Sequence, residues 1–303
     1  MSETNTYTSS CMSMSNNKIG FIESKMNSLI FKPPDRSGLK QIGSPDYIET
    51  FDSTTDSQDN NDNAIKLSYF VIHPNEIAHA RQTEKKKVRK QTNPPYILWS
   101  HGNGSDLIES YPVIKALHSE LGGHIGIVMY DYEGYGMSSG ECRETNCYRD
   151  LDMMVSFCRK RLNVPKDRLF LLGHSLGTGV VIDYVSNRPN WKTPIILLSP
   201  YKTISRVLVD PHWTDFLTNM IVNSIDRFTS VDKFEKIRCP IIIYHGMKDT
   251  LIDYRHSVDL RKLNKKRTTL ILLKSAGHND MLGYIDPKEI WNIVFNHINS
   301  LSE

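Results

Sequence analysis

The chain has 303 residues, 39% hydrophobic and 23% charged, with a net charge of +3. That length suits one large α/β domain or two small ones, and the composition is that of an ordinary globular protein. The charge is too mild to point to nucleic acid. The only dense basic stretch, residues 81–90 reading Arg-Gln-Thr-Glu-Lys-Lys-Lys-Val-Arg-Lys, is read as a solvated loop between two strands.

Residues 1–17 are rich in Ser, Thr and Asn and are expected to be a disordered tail without a signal peptide. Residues 18–44 form an amino-terminal segment and linker. Within it Ile19, Ile22, Met26, Leu29 and Ile30 recur near helical spacing between lysines, before Pro33-Pro34. Two placements are open, a short helix lying on a membrane or one packed over the domain. From residue 45 strands and helices alternate to the end. Residues 47–51 and 66–73 predict a hairpin split by a polar insertion at 52–63. After a second polar loop at 80–94 come a strand at 96–100, a helix over 107–121 and a buried strand at 125–130. A helix over 144–162 stops at Asn163 and Pro165.

Residues 169–172 predict a strand, 176–185 a helix, 195–198 a strand, 241–244 a strand, 255–264 a helix and 270–273 a strand. A last helix starts at Asp286 as N-cap, with Pro287 at N1 and Glu289 at N3. Continuous apolar strands alternating with amphipathic helices predict a mostly parallel sheet covered on both faces, in one α/β domain over 45–303. Between 201 and 239, Trp213, Phe216, Leu217, Met220 and Ile221 mark an apolar helix face. It is expected in a small lid, where it packs on the core, roofs an acyl pocket, or does both.

Cys11, Cys142, Cys147, Cys158 and Cys239 form no CxxC pair and show no metal-ligand spacing. Their odd number fits a reducing compartment. With no apolar run near the ~20 residues that span a bilayer, the chain reads as cytoplasmic, at most peripherally attached to a membrane.

Gly173-His174-Ser175-Leu176-Gly177 matches G-x-S-x-G. A chain of this length would show such a match by chance about 0.1 times, so context decides. The match directly follows an apolar strand and opens a helix, the setting in which a serine is projected above the carboxyl edge of a sheet. A serine hydroxyl needs a base, and the base an orienting acid. His278, between the last strand and the last helix, and Asp249, in the loop after the preceding strand, supply them in the expected order; Asp253 is the competing acid. His245 is read as structural and His297 as a surface residue. The Leu176 N–H at a helix N-terminus is one oxyanion donor. Asn103, between Gly102 and Gly104 after the strand at 96–100, is the second. The glycine-rich run Tyr130–Gly140 lacks a P-loop lysine and is read as a tight turn.

These motifs, from about residue 45 onward, resemble the α/β-hydrolase superfamily. Ser100-His-Gly-Asn-Gly-Ser-Asp-Leu107, Tyr130-Asp-Tyr-Glu-Gly-Tyr-Gly-Met-Ser-Ser-Gly140, Gly173–Gly177, His245-Gly-Met-Lys-Asp249 and Gly277-His-Asn-Asp280 resemble more narrowly a branch of membrane-associated serine hydrolases that remove palmitate from proteins. The resemblance implies the α/β-hydrolase fold, Ser175, Asp249 and His278 as a catalytic triad, and Asn103 and Leu176 as oxyanion donors. It implies a small acyl ester or an acylated protein as substrate, no metal or organic cofactor, no nucleic acid, and residues 11–31 as the place of peripheral membrane contact. That branch carries an amino-terminal cysteine cluster, whereas here only Cys11 stands, and one acyl chain binds membranes marginally. Alternative readings are a carboxylesterase or monoacylglycerol-type lipase, and a hydrolase-fold binding protein without turnover.

Overall fold

The computed structural model describes residues 27, 28, 30–35, 45–52, 65–75, 93–204, 207 and 227–301. The expected tail at 1–17, most of the amphipathic segment at 18–31, the polar loops at 53–63 and 80–92, and the apolar lid face at 213–221 lie outside them. The chain divides into two units, Met1–Lys32 and Pro33–Glu303. In the first, Phe31 N–H bonds to Asn27 O at 2.8 Å and Lys32 Nζ to Ser28 O at 2.6 Å, one turn of helix.

The second unit is built on an eight-stranded sheet. Its elements are β1 (Glu49–Asp52), β2 (Lys66–Ile72), β3 (Tyr96–Ser100), α1 (Leu107–Glu120), β4 (Gly126–Tyr130), α2 (Glu144–Lys160), β5 (Leu169–His174), α3 (Leu176–Ser186), β6 (Ile195–Leu198), α4 (Ser230–Phe234), β7 (Ile241–Gly246), α5 (Arg255–Leu263), β8 (Thr268–Leu273) and α6 (Pro287–Ser300). The strand order is β1-β2-β4-β3-β5-β6-β7-β8. β1 with β2 and β2 with β4 pair antiparallel, and all later pairs are parallel. This is the expected α/β-hydrolase architecture. Every residue of β3, β4 and β6 is buried, as strands covered on both faces must be.

The expected elements recur with shifted ends. β5 and β7 each run two residues further than the apolar pattern predicts, because Gly173 pairs with Leu197 and Gly246 with Leu273. Main-chain pairing does not need a side chain, so a glycine that reads as a turn can extend a strand. α1 runs through Pro112, its start secured by the Asp106 carboxylate, which accepts from Glu109 N–H at 3.0 Å. α6 begins as expected, with Asp286 accepting from Lys288 N–H at 2.9 Å.

One expectation needs correction. His297 is half-buried rather than a free surface residue, for its ring lies 5.6 Å from that of Phe170 and its Nε2 is buried. α6 packs across β5 there, a contact invisible to local periodicity. Among the described residues no helix is long and apolar enough to cross a membrane.

Candidate active site

Parallel strands deliver their following loops to one edge of a sheet, and the loops after β3, β5, β6, β7 and β8 carry the site. Ser175 follows β5 and is the N-cap of α3. Its backbone stands at φ 50 and ψ −115, a region that costs an L-residue on the order of 1–3 kcal/mol. Three bonds over-determine it: Ser175 N–H donates to Leu198 O at 2.9 Å, and its carbonyl accepts from Thr178 N–H at 2.9 Å and Thr178 Oγ at 2.6 Å. A Cβ at Gly177 would collide with the Ser100 carbonyl, so the turn of α3 sits directly on the loop after β3.

His278, in the loop after β8, reaches across to this serine. Its Nε2 lies 3.0 Å from Ser175 Oγ and its Nδ1 2.7 Å from Asp249 Oδ2. A carboxylate only accepts, so Nδ1 carries the proton and Nε2 is left to accept from the serine hydroxyl. Asp249 Oδ1 accepts the backbone N–H groups of Leu251 at 2.9 Å and Ile252 at 2.8 Å. Burial works against the charged carboxylate, but the His245 ring beside it and the hydrogen bonds from His278 and Ile252 outweigh it and hold Asp249 well below the usual range. The carboxylate is therefore held in its ionised form.

The structure thus brings Ser175, His278 and Asp249 into one hydrogen-bonded chain. It gives Asp253 a different partner, since its carboxylate accepts Arg255 N–H at 2.8 Å and pairs with that guanidinium at 2.7 Å. His245 is buried, as its structural reading requires. Its Nε2–H donates to Ile252 O at 2.8 Å, so its Nδ1 accepts from Ser257 Oγ at 2.6 Å. The same Nε2 lies 3.4 Å from Asp249 Oδ2.

Leu176 opens α3, where first-turn N–H groups have no intrahelical acceptor. On the other side, a Cβ at Gly102 would lie 3.4 Å from Ser175 Cβ and 3.1 Å from His174 Nδ1. The backbone at Gly102 therefore runs tight against Ser175. Tyr135 Oη donates to the Asn103 side-chain carbonyl at 2.6 Å, and Tyr132 Oη to His101 O at 2.9 Å. Both tyrosines are buried, and both rings pack on that of His101. The run Asp131–Gly140 is a tight turn as expected, and it also holds the loop after β3 in place.

Three residues here were missed by the sequence reading. His174 sits between the loop after β3 and His278, its ring 5.2 Å from the His278 ring. Burial first, and His278 beside it, lower its pKa to about 4, so a neutral ring donates from Nε2 to His278 O at 3.3 Å. Ser199 Oγ lies 2.7 Å from Asp249 Oδ2. Tyr135 is the third. The motif pattern carries a signal for His174, which sits inside it; none marks Ser199 or Tyr135, whose partners lie 50 and 32 residues away.

Known proteins agree with this architecture. A family model described as serine aminopeptidase, S33, matches residues 96–230. An alpha/beta hydrolase of Acanthamoeba polyphaga mimivirus is 33% identical over 260 residues, covering 84% of this chain and 91% of that protein. Human alpha/beta hydrolase domain-containing protein 17C is 32% identical over 185 residues, 61% of this chain and 53% of that protein. The chain spans about half the length of that relative. Among solved structures, an esterase of Pyrococcus furiosus superposes with a TM-score of 0.60 at 16% identity, over 89% of this chain and 98% of that one, a likeness of fold alone. The chain belongs to the α/β-hydrolase superfamily.

Proposed function

We propose that this hydrolase cleaves acyl esters or thioesters, with Ser175 as nucleophile, His278 as general base and Asp249 as orienting acid. The observation that carries the reading is the continuous chain from Ser175 Oγ to His278 at 3.0 Å and from His278 to Asp249 at 2.7 Å. Ser175 Oγ attacks the substrate carbonyl as His278 Nε2 takes its proton. The N–H groups of Leu176 and Asn103 receive the oxyanion; losing one such donor typically costs about 10²–10³ in turnover. The tetrahedral intermediate collapses, His278 passes the proton to the departing alcohol or thiol, and an acyl-serine remains. Water, deprotonated by the same imidazole, releases the acid and restores Ser175.

Within that class we propose an acylated protein as substrate, supported by the resemblance of five sequence blocks to protein depalmitoylases. The same resemblance supports residues 11–31 as a peripheral membrane contact on the cytoplasmic side. A fluorophosphonate probe should label the wild type and leave Ser175→Ala unlabelled; equal labelling of both removes Ser175 as nucleophile. Nitrophenyl esters of increasing chain length, assayed beside a palmitoyl thioester, test the substrate. Preference for long chains and turnover of the thioester are expected. Activity confined to short oxygen esters, or to aminoacyl amides, overturns the depalmitoylase reading and leaves the triad standing.

A further inference from the structure

The carboxylate of Asp249 has more donors than an orienting acid needs. Two backbone N–H groups fill Oδ1. On Oδ2, Ser199 Oγ lies at 2.7 Å, the same distance as His278 Nδ1. Ser199 has no acidic proton to lose to an ionised carboxylate, so its hydroxyl is the donor.

The way Ser199 is held argues against accident. It stands one residue beyond β6, fully buried, with φ 50. That is left-handed backbone, where glycine is the unstrained choice. Its N–H bonds to Tyr244 O at 3.0 Å, tying the ends of β6 and β7 together, and Pro200 follows directly. A serine here bears the strain that glycine would avoid, and what it has beyond glycine is a hydroxyl aimed at the acid.

Resting on the proposed triad, we infer that Ser199 is a positioning residue for the acid–base pair, sharing Asp249 Oδ2 with His278. Its bond fixes the rotation of the carboxylate so that a lone pair faces Nδ1. It also draws off part of the negative charge that the imidazolium meets during turnover. A carboxylate without that bond grips the protonated ring harder and moves about more freely. The proton taken from Ser175 must leave His278 again for the departing group, and Ser199 keeps its own proton throughout.

Among the described residues, the other titratable or charged groups around the pair are few. His245 from the end of β7 lies 3.4 Å from Oδ2, and the His174 ring from the end of β5 lies 5.2 Å from that of His278, with His101 beyond it. Asp280, on the loop of His278 itself, accepts Gly277 N–H at 2.7 Å, and Lys248 beside Asp249 is exposed. Changing Ser199 alters none of them.

The test uses the full chain with Ser199→Ala and Ser199→Gly, following the rate of fluorophosphonate labelling from pH 5 to 9 together with the melting temperature. Both variants should label about ten-fold more slowly, the kinetic equivalent of one charge-assisted hydrogen bond. The acid limb of the rate profile should move up by about half a unit. Ser199→Gly relieves the backbone strain, so it should melt no lower than the wild type and still be slow. Wild-type rates and an unmoved acid limb in both variants overturn the inference. So does a glycine variant with full activity, since backbone shape would then suffice. Labelling of Ser175→Ala at the wild-type rate would instead bring down the triad itself, whatever Ser199 does.

Discussion

The Ser175 turn and the Asp249 loop lie at the same edge of one sheet and are built on opposite plans. The turn at Gly173–Gly177 owes its shape to missing atoms: Gly177 lets α3 rest on the Ser100 carbonyl, and the strained Ser175 is held by Thr178 and by the Leu198 carbonyl at the end of β6. The loop around Asp249 owes its shape to added donors. The backbone donors of Leu251 and Ile252 come from nearby in the chain, whereas Ser199 and His278 come from other strands. A site part defined by absent side chains is brittle. One defined by convergent donors is assembled from afar and should lose function step by step as donors are removed.

The largest effect should come from breaking the first plan. Gly177→Ala puts a Cβ into the Ser100 carbonyl, backbone against backbone, with no flexible side chain to yield. We expect a stability loss of about 3 kcal/mol, within the range for overpacking, and near-complete loss of labelling. Thermal melts and probe labelling on the same sample check both. A stable, active variant would show that the turn has slack.

Next comes Asp249→Asn, which keeps the shape of the acid and removes its charge. Turnover should fall about 10⁴-fold, because an amide can fix the wrong tautomer of the base, while the melting temperature changes far less than for Gly177→Ala. Steady-state kinetics on a nitrophenyl ester would show it. A loss as small as ten-fold would mean that Asp249 orients little.

The loop after β3 follows the second plan, since Tyr135 donates a neutral bond to Asn103 at 2.6 Å. Tyr135→Phe should lower kcat about five-fold with KM nearly unchanged, the measure of one such bond of about 1 kcal/mol. An equal rise in KM would point to substrate contact instead of oxyanion positioning.

The smallest effect concerns the support beneath that loop. Asp150 is buried, accepts Glu133 N–H at 2.9 Å, and has an Oδ1 with no partner among the described residues. Burial, with Glu133 adding to it, pushes its carboxyl up to about 8. Unfolded, the same group titrates near ~3.9. Between those values the folded protein keeps a proton that the unfolded chain releases, so stability falls as pH rises, at most ~1.4 kcal/mol per pH unit, and levels off above about 8. Asp150→Asn keeps an acceptor for Glu133 N–H and removes the titration. Denaturant midpoints at pH 6, 7 and 8 should therefore fall less steeply in the variant than in the wild type, and parallel curves would place the proton elsewhere.

How much of this was legible depends on the range of each interaction. The strands at 96–100 and 195–198 are legible to the residue, because burial on both faces demands an unbroken apolar run. The start of α6 is legible because a cap is a contact between residues two apart. The ends of β5 and β7 are not, since Gly173 and Gly246 are strand residues only through their partners Leu197 and Leu273. His297 misleads for the same reason.

The sequence by itself determined the sheet-and-helix alternation, the position of the serine turn, and the chain order of serine, acid and histidine, since each is written in periodicity or in a few adjacent residues. Only the tertiary structure decided that Asp249 rather than Asp253 faces His278, that Tyr135 reaches Asn103, and that Ser199 is aimed at the carboxylate. Those choices depend on side chains meeting across tens of residues. Such meetings are fixed by how strands pair and loops pack, and no local pattern records them.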